Sequence, residues 1–230
     1  MRSVLQKLVA RIKTLQKFRS GRYWENRYAA GGTSGAGSYG ELAQFKARVL
    51  NELVVTEGIR SVIEFGCGDG NQLSLAEYPV YSGLDVSLTA VQTCAKRFSS
   101  DRTKSFFLYS PEGFYDNGGI LRADLALSLD VIYHLVEDAV YAKYLQHLFS
   151  SAGRLVVIYS SNYEGPISRH ERPRQFTNYV SQHFPAWKLE SVIQNEHPYV
   201  AATEQGSQAD FYIYRLGTSV STVTIGGDRQ

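Results

Sequence analysis

Residues 62–71 read Val-Ile-Glu-Phe-Gly-Cys-Gly-Asp-Gly-Asn, and no other stretch restricts the fold as much. Two β-branched residues and an acid run directly into glycines at alternate positions, Gly66, Gly68 and Gly70. A short apolar run closed by glycines reads as a buried strand ending in a tight turn whose backbone something must approach closely. The spacing is not the dinucleotide fingerprint G-x-G-x-x-G, because position 71 is Asn. Glu64, two residues before the first glycine, puts a carboxylate near the end of that strand.

From there the chain alternates strand and helix. A second strand at 81–86 ends in Asp85, and Ser87 is placed to cap a helix over 88–98. A third strand at 105–109 carries Phe107 and Tyr109 and is followed by Ser110. The fourth, 124–130, is small and aliphatic up to Asp130, as suits a parallel strand buried on both faces. A helix at 138–149, a strand at 153–159 and a helix at 173–184 come next, and 187–193 with 209–216 read as an antiparallel hairpin at the sheet edge. The expected fold is therefore α/β, a Rossmann-like doubly wound sheet of seven strands with a terminal antiparallel hairpin and N-terminal accessory helices. With 230 residues, 43% of them hydrophobic and 20% charged, one sizeable core suffices and no second domain is needed.

At 62–71, at Asp85 and at Asp130 to Leu135 the chain resembles the class I S-adenosylmethionine-dependent methyltransferases, whose first motif is an acid followed by G-x-G-x-G. S-adenosylmethionine carries an amino-acid zwitterion and a sulfonium instead of a pyrophosphate, so its loop needs room and a nearby acid for charge-assisted hydrogen bonds. The resemblance implies that Glu64, Gly66, Cys67 through its backbone, Gly68, Gly70 and Asn71 surround the cofactor. It also implies that Asp85 with Val86 takes the ribose, that Phe107 or Tyr109 stacks on adenine, and that Asp130 orients cofactor or substrate. Residues 23–38 resemble the opening of thiol- and tellurite-methylating members, so Trp24, Arg27 or Tyr28 would cover the cofactor, with Arg27 pairing with its carboxylate. Gly31, Gly32, Gly35 and Gly37 suit a lid, and Ser38 with Glu41 reads as a capping box opening a helix to about residue 55.

Methyl transfer from a sulfonium needs in-line positioning, and a base only where the acceptor must lose a proton. His134 is the candidate base, or else a structural or cofactor-lining residue. Some relatives bind a metal here through Glu-x-x-Glu-His, whereas this chain has Tyr133 at one ligand position, so no metal is expected. Cys67 and Cys94 give neither metal spacing nor a disulfide framework, which suits a reducing, cytoplasmic setting. Tyr133, Arg169, His170 and Arg172 are the candidate acceptor contacts, and three arginines within 169–174 can hold a carboxylate, phosphate or sugar nucleotide, or pair with acids of the body. The implied acceptor is an oxygen or nitrogen of a small molecule, such as a sugar or cell-envelope precursor. Protein or peptide methylation, or a cofactor-binding partner subunit without activity, are the alternatives. Nucleic acid is not an expected partner: the segment after the fourth strand lacks the paired prolines of adenine methylation, and Cys94 sits in a predicted helix.

Residues 1–22 hold seven basic side chains and no acid, leaving seventeen basic residues against all twenty-two acids. Leu5, Leu8, Val9, Ile12 and Leu15 recur at helical spacing, so 1–21 reads as a basic amphipathic helix for an anionic membrane surface or an acidic partner, or as one packed on the domain. A transit peptide shares this composition, whereas the interrupting basic residues do not suit a secretory signal. The domain proper is expected over 22–216, with a flexible tail over 217–230.

Overall fold

The computed structural model describes residues 18–168, 170–203 and 205–217; the basic segment up to residue 17, Arg169 and the tail from residue 218 lie outside them. Two helices, α1 (Ser20–Ala29) and α2 (Gly40–Thr56), precede the sheet. Then come β1 (Val62–Phe65), β2 (Tyr81–Asp85), α3 (Leu88–Arg97), β3 (Lys104–Leu108), β4 (Ala123–Leu129), α4 (Asp138–Ser150), β5 (Ala152–Ser160), α5 (Phe176–His183), β6 (Trp187–Ile193) and β7 (Asp210–Leu216). The seven strands lie in the order β3-β2-β1-β4-β5-β7-β6. Strand β7 runs antiparallel to both its neighbours, and the pairings from β3 to β5 are parallel. The hairpin and the doubly wound order are those expected from the sequence.

Side-chain alternation along the strands sends apolar residues to two helical layers. Leu125 and Leu127 of β4 pack with Phe45, Leu50 and Val54 of α2 on one face, while Ile63, Phe65 and Ala126 meet Tyr144, Leu145 and Leu148 of α4 on the other. One polar group drawn into this core is doubly engaged: Tyr144 donates its hydroxyl toward Phe65 O at 2.8 Å and lies 2.7 Å from Ser128 Oγ. Order in the sheet reverses between β1 and β4, so their carboxyl ends open a crevice at that switch point, the place where such sheets bind ligands. No helix among the described residues is long and apolar enough to cross a membrane.

Two boundaries differ from expectation. Ser38 does not cap α2: residues Ala36–Ser38 form a 3-10 turn, Ser38 O accepts from Asn71 Nδ2 at 2.7 Å, and the N-cap is the extended Tyr39. Helix α5 starts at Phe176 instead of near 173, because Arg174 is pulled onto the carbonyls of Leu135 (2.7 Å) and Val136 (3.2 Å), which holds the chain before it out of the helix.

Candidate functional site

A cavity of about 670 Å³ opens at the switch point. Gly66, Cys67 and Gly68 line it from the loop after β1, Asp85 and Val86 from the end of β2, Tyr109 and Ser110 from just after β3, Asp130, Val131 and His134 from the segment after β4, and Trp24 and Tyr28 from α1. Its size fits a drug-sized ligand or cofactor.

The glycine turn is required where it matters. Gly68 has φ +58°, a conformation that L side chains rarely adopt, and a Cβ there would run into the Ser34 hydroxyl and lie 3.0 Å from Tyr28 Oη. Its N–H donates to Asp85 Oδ2 at 2.9 Å, while Asp85 Oδ1 accepts from Ser87 N at 2.9 Å. Asp85 thus fixes the turn and, with four acceptor sites on its two oxygens, keeps acceptor capacity to spare on the cavity wall. Burial pushes its carboxyl up to about 6, against the lowering effect of those two N–H donors. Glu64 is buried beside it, accepts the Tyr81 hydroxyl at 2.6 Å and is pushed up to about 7, burial outweighing that bond and the Lys46 charge. The Cys67 thiol is raised by its hydrogen bond with Cys94 and by burial, so it stays protonated and inert.

Not every residue of the motif reaches the cavity. Gly70 makes room for helix α3, since a Cβ there would lie 2.9 Å from both Cys94 Sγ and Phe98 Cε2. Asn71 turns to Ser38 O and to Asp69, tying the turn to the segment before α2. Phe107 points to solvent, being 47% exposed, whereas Tyr109 is buried on the cavity wall.

Asp130 is the one non-glycine residue among those described with positive φ, +58°. Lys46 Nζ donates to its Oδ2 at 2.7 Å and the Tyr133 hydroxyl to its Oδ1 at 3.0 Å, which holds the strained backbone in place. Tyr133 is therefore spent on Asp130 and does not line the cavity, contrary to the expected acceptor contact. Lys46, which sequence reasoning missed, does line it, as does Gln72.

Helix α1 lies over the opening. Glu25 accepts from Ser87 Oγ (2.6 Å) and Thr89 Oγ1 (2.7 Å) at the start of α3, and Glu137 Oε1 accepts from Ser20 N at 2.9 Å. Trp24 stands edge-on to His134, with ring centroids 5.0 Å apart. Arg27, expected to meet a carboxylate, instead donates its Nε to Thr33 O at 2.7 Å and braces the glycine loop outside the cavity.

His134 lines the cavity, and burial lowers its pKa, so it is neutral near pH 7. Its Nδ1 lies 3.1 Å from His170 O, which assigns the proton to Nδ1 and leaves Nε2 as an acceptor. His170 stacks on Tyr23 outside the cavity, and Arg172 and Arg174 are engaged by Asp138 at 2.7 and 3.1 Å. Their guanidiniums thus anchor the 160–174 segment, against the expectation that Arg172 and His170 face an acceptor; Arg169 lies outside the described residues. His134, His170 and Glu171 each bring a possible donor atom within 4.8 Å of the other two, the one potential metal cluster among the described residues.

No protein-family model matches the chain, and no curated protein matches it. Solved structures do. The N-methyltransferase NodS from Bradyrhizobium japonicum WM9, in complex with S-adenosyl-L-homocysteine, is 13% identical with a TM-score of 0.63, over 86% of this chain and 99% of that one. The methyltransferase domain of bacterial CtHen1-C is 22% identical with a TM-score of 0.60, over 76% and 98%. Magnesium protoporphyrin IX methyltransferase from Synechocystis PCC 6803, with bound S-adenosylmethionine, is 14% identical with a TM-score of 0.59, over 88% and 99%. At these identities the likeness establishes the fold, a Rossmann-like methyltransferase fold ending in an antiparallel hairpin.

Proposed function

We propose that the chain is an S-adenosylmethionine-dependent methyltransferase acting on an oxygen or nitrogen of a small molecule. The observation that carries the reading is the cavity at the β1/β4 switch point, where the positive-φ turn at Gly66 and Gly68 and the buried Asp85 converge. The residues fit the cofactor: the turn leaves no room for side chains, Asp85 keeps lone pairs for a ribose, and Gln72 Oε1 is a buried acceptor without a partner. When bound, the cofactor supplies a methyl group on an already activated sulfur.

The chain's own residues then position the partners and exclude water. Trp24 and Tyr28 close the cavity from above, and Asp130, fixed by Lys46 and Tyr133, holds its lower wall. His134 Nε2 accepts the acceptor's proton where a hydroxyl or ammonium must be deprotonated. The pinning of Arg172 and Arg174 to Val136 and Asp138 supports a small acceptor over a peptide, since it engages the guanidiniums that a peptide or its carboxylates would otherwise meet.

Calorimetric titration with S-adenosylhomocysteine, alongside NAD and repeated on Asp85→Ala, tests the cofactor. Micromolar binding of the first, none of the second and at least a tenfold loss in the variant, about 1.4 kcal/mol, are expected. No binding of S-adenosylhomocysteine by the intact protein refutes the reading. Binding justifies an acceptor screen with labelled methyl donor, in which a silent result across hydroxyl and amine pools favours a cofactor-binding subunit without activity.

A further inference from the structure

A buried cation and a buried unpartnered acceptor share the cavity wall. Lys46 is the one basic residue among those described that is buried as a whole, and it lies on the cavity wall. An ammonium has three N–H donors. Lys46 has one hydrogen-bond partner among the described residues, Asp130 Oδ2 at 2.7 Å, and the Tyr159 ring covers another side with Nζ 5.1 Å from its centroid. Gln72 gives its amide N–H to Ala43 O, one turn before Lys46 on α2, at 3.0 Å, and leaves its buried Oε1 without a partner. Glu64 also lines this end, close enough for the Lys46 charge to lower its pKa. A glycine loop closes over the group, because a Cβ on Gly37 would lie 2.7 Å from Asp130 Oδ2.

A buried cation with a spare donor beside buried acceptors is expensive unless something completes it. One chemical group complements that arrangement, an α-amino-acid zwitterion, whose carboxylate faces the cation while its ammonium faces the acceptors. Arg27 is committed to Thr33 O and is off the wall, and Arg19 and Arg22, which also line the cavity, are solvent-exposed, unlike Lys46. We infer that Lys46 binds the α-carboxylate of the cofactor's amino-acid half and that Gln72 Oε1, with Glu64, takes its ammonium. The inference rests on the cofactor reading above and deepens it. Asp130 is then a positioning residue, neutralising Lys46 while the cavity is empty and setting the direction of its remaining donors.

Truncating the ligand tests this without relying on activity. S-adenosylhomocysteine and 5′-methylthioadenosine share the adenosine thioether, but only the first has the amino-acid group. Both are titrated calorimetrically into the full chain, into Lys46→Met, and into Lys46→Met/Asp130→Asn, which removes both charges and so avoids a lone buried carboxylate. A charge-assisted hydrogen bond of the usual strength predicts a loss of about 10- to 100-fold for S-adenosylhomocysteine, with 5′-methylthioadenosine unchanged within about twofold. Equal loss of both ligands, or loss of neither, overturns the Lys46 assignment and leaves the cofactor reading standing. Failure of the intact chain to bind either ligand removes both together.

Discussion

Replacing Glu64 by Gln should make the protein more stable as the pH rises. Glu64 is buried, and its carboxyl is pushed from an ordinary 4.5 to about 7, burial outweighing the Tyr81 hydroxyl and the Lys46 charge. The folded state therefore binds a proton that the unfolded chain has released across that interval, so this group's contribution to stability is full below 4.5 and falls as pH climbs to about 7. At about 1.36 kcal/mol per pH unit of displaced titration, the loss is on the order of 3 kcal/mol. Gln keeps an acceptor for Tyr81 Oη, 2.6 Å from the carboxylate in the parent, and cannot ionise. Urea unfolding of both proteins at pH 5, 6, 7 and 8 reads the effect, since titrating groups that do not interact with Glu64 cancel in the difference. Glu64→Gln should lie within about 1 kcal/mol of the parent at pH 5 and gain roughly 3 kcal/mol relative to it by pH 8, about 2–4 °C in Tm per kcal/mol for a chain of this size. A difference that stays constant with pH would show that Glu64 titrates normally and that the electrostatic account of this wall is wrong.

Other consequences can be measured directly. Asp85 is raised to about 6, and its ionised form is the better acceptor for two ribose hydroxyls, so affinity for S-adenosylhomocysteine should fall as pH drops through 6, while Asp85→Asn loses the part of that fall centred near 6. Gly68→Ala forces a left-handed alanine against Ser34 and Tyr28 and should abolish detectable binding, with about 1–3 kcal/mol lost from stability by thermal unfolding; tight binding by this variant would contradict the geometry of the turn. Leu127, wholly buried on the face of β4 that packs against α2, should cost about 2–5 kcal/mol as Leu127→Ala, and a smaller loss in urea titration would place it outside the core. Since the proposed transfer uses no metal, EDTA should leave turnover unchanged within about twofold; a large loss restored by Mg²⁺ or Mn²⁺ would make ligands of His134, His170 and Glu171.

The parts of this site that the sequence disclosed are those carried at the ends of neighbouring strands. Gly66, Gly68 and Asp85 terminate adjacent parallel strands, so their meeting follows from strand order alone. The arginines failed as sequence signals for the opposite reason. Arg27, Arg172 and Arg174 sit near the right motifs, but each reaches a carbonyl or Asp138 before it reaches the cavity, and spacing says nothing about that competition. Lys46 was hidden because its partner Asp130 is 84 residues away. Yet α2 did carry a trace of it. Ala43, Lys46 and Leu50 fall three and four residues apart on a single stripe, and all three are buried. A lysine in the middle of an apolar stripe either breaks the helix's packing or meets a buried charge, and the helix is intact for 17 residues. The acid most able to meet it was the one closing the central strand, where the sheet's order reverses. A misplaced charge on a core-facing stripe thus points toward the ligand site as surely as the glycines do, provided the fold is known well enough to say which strand end it faces.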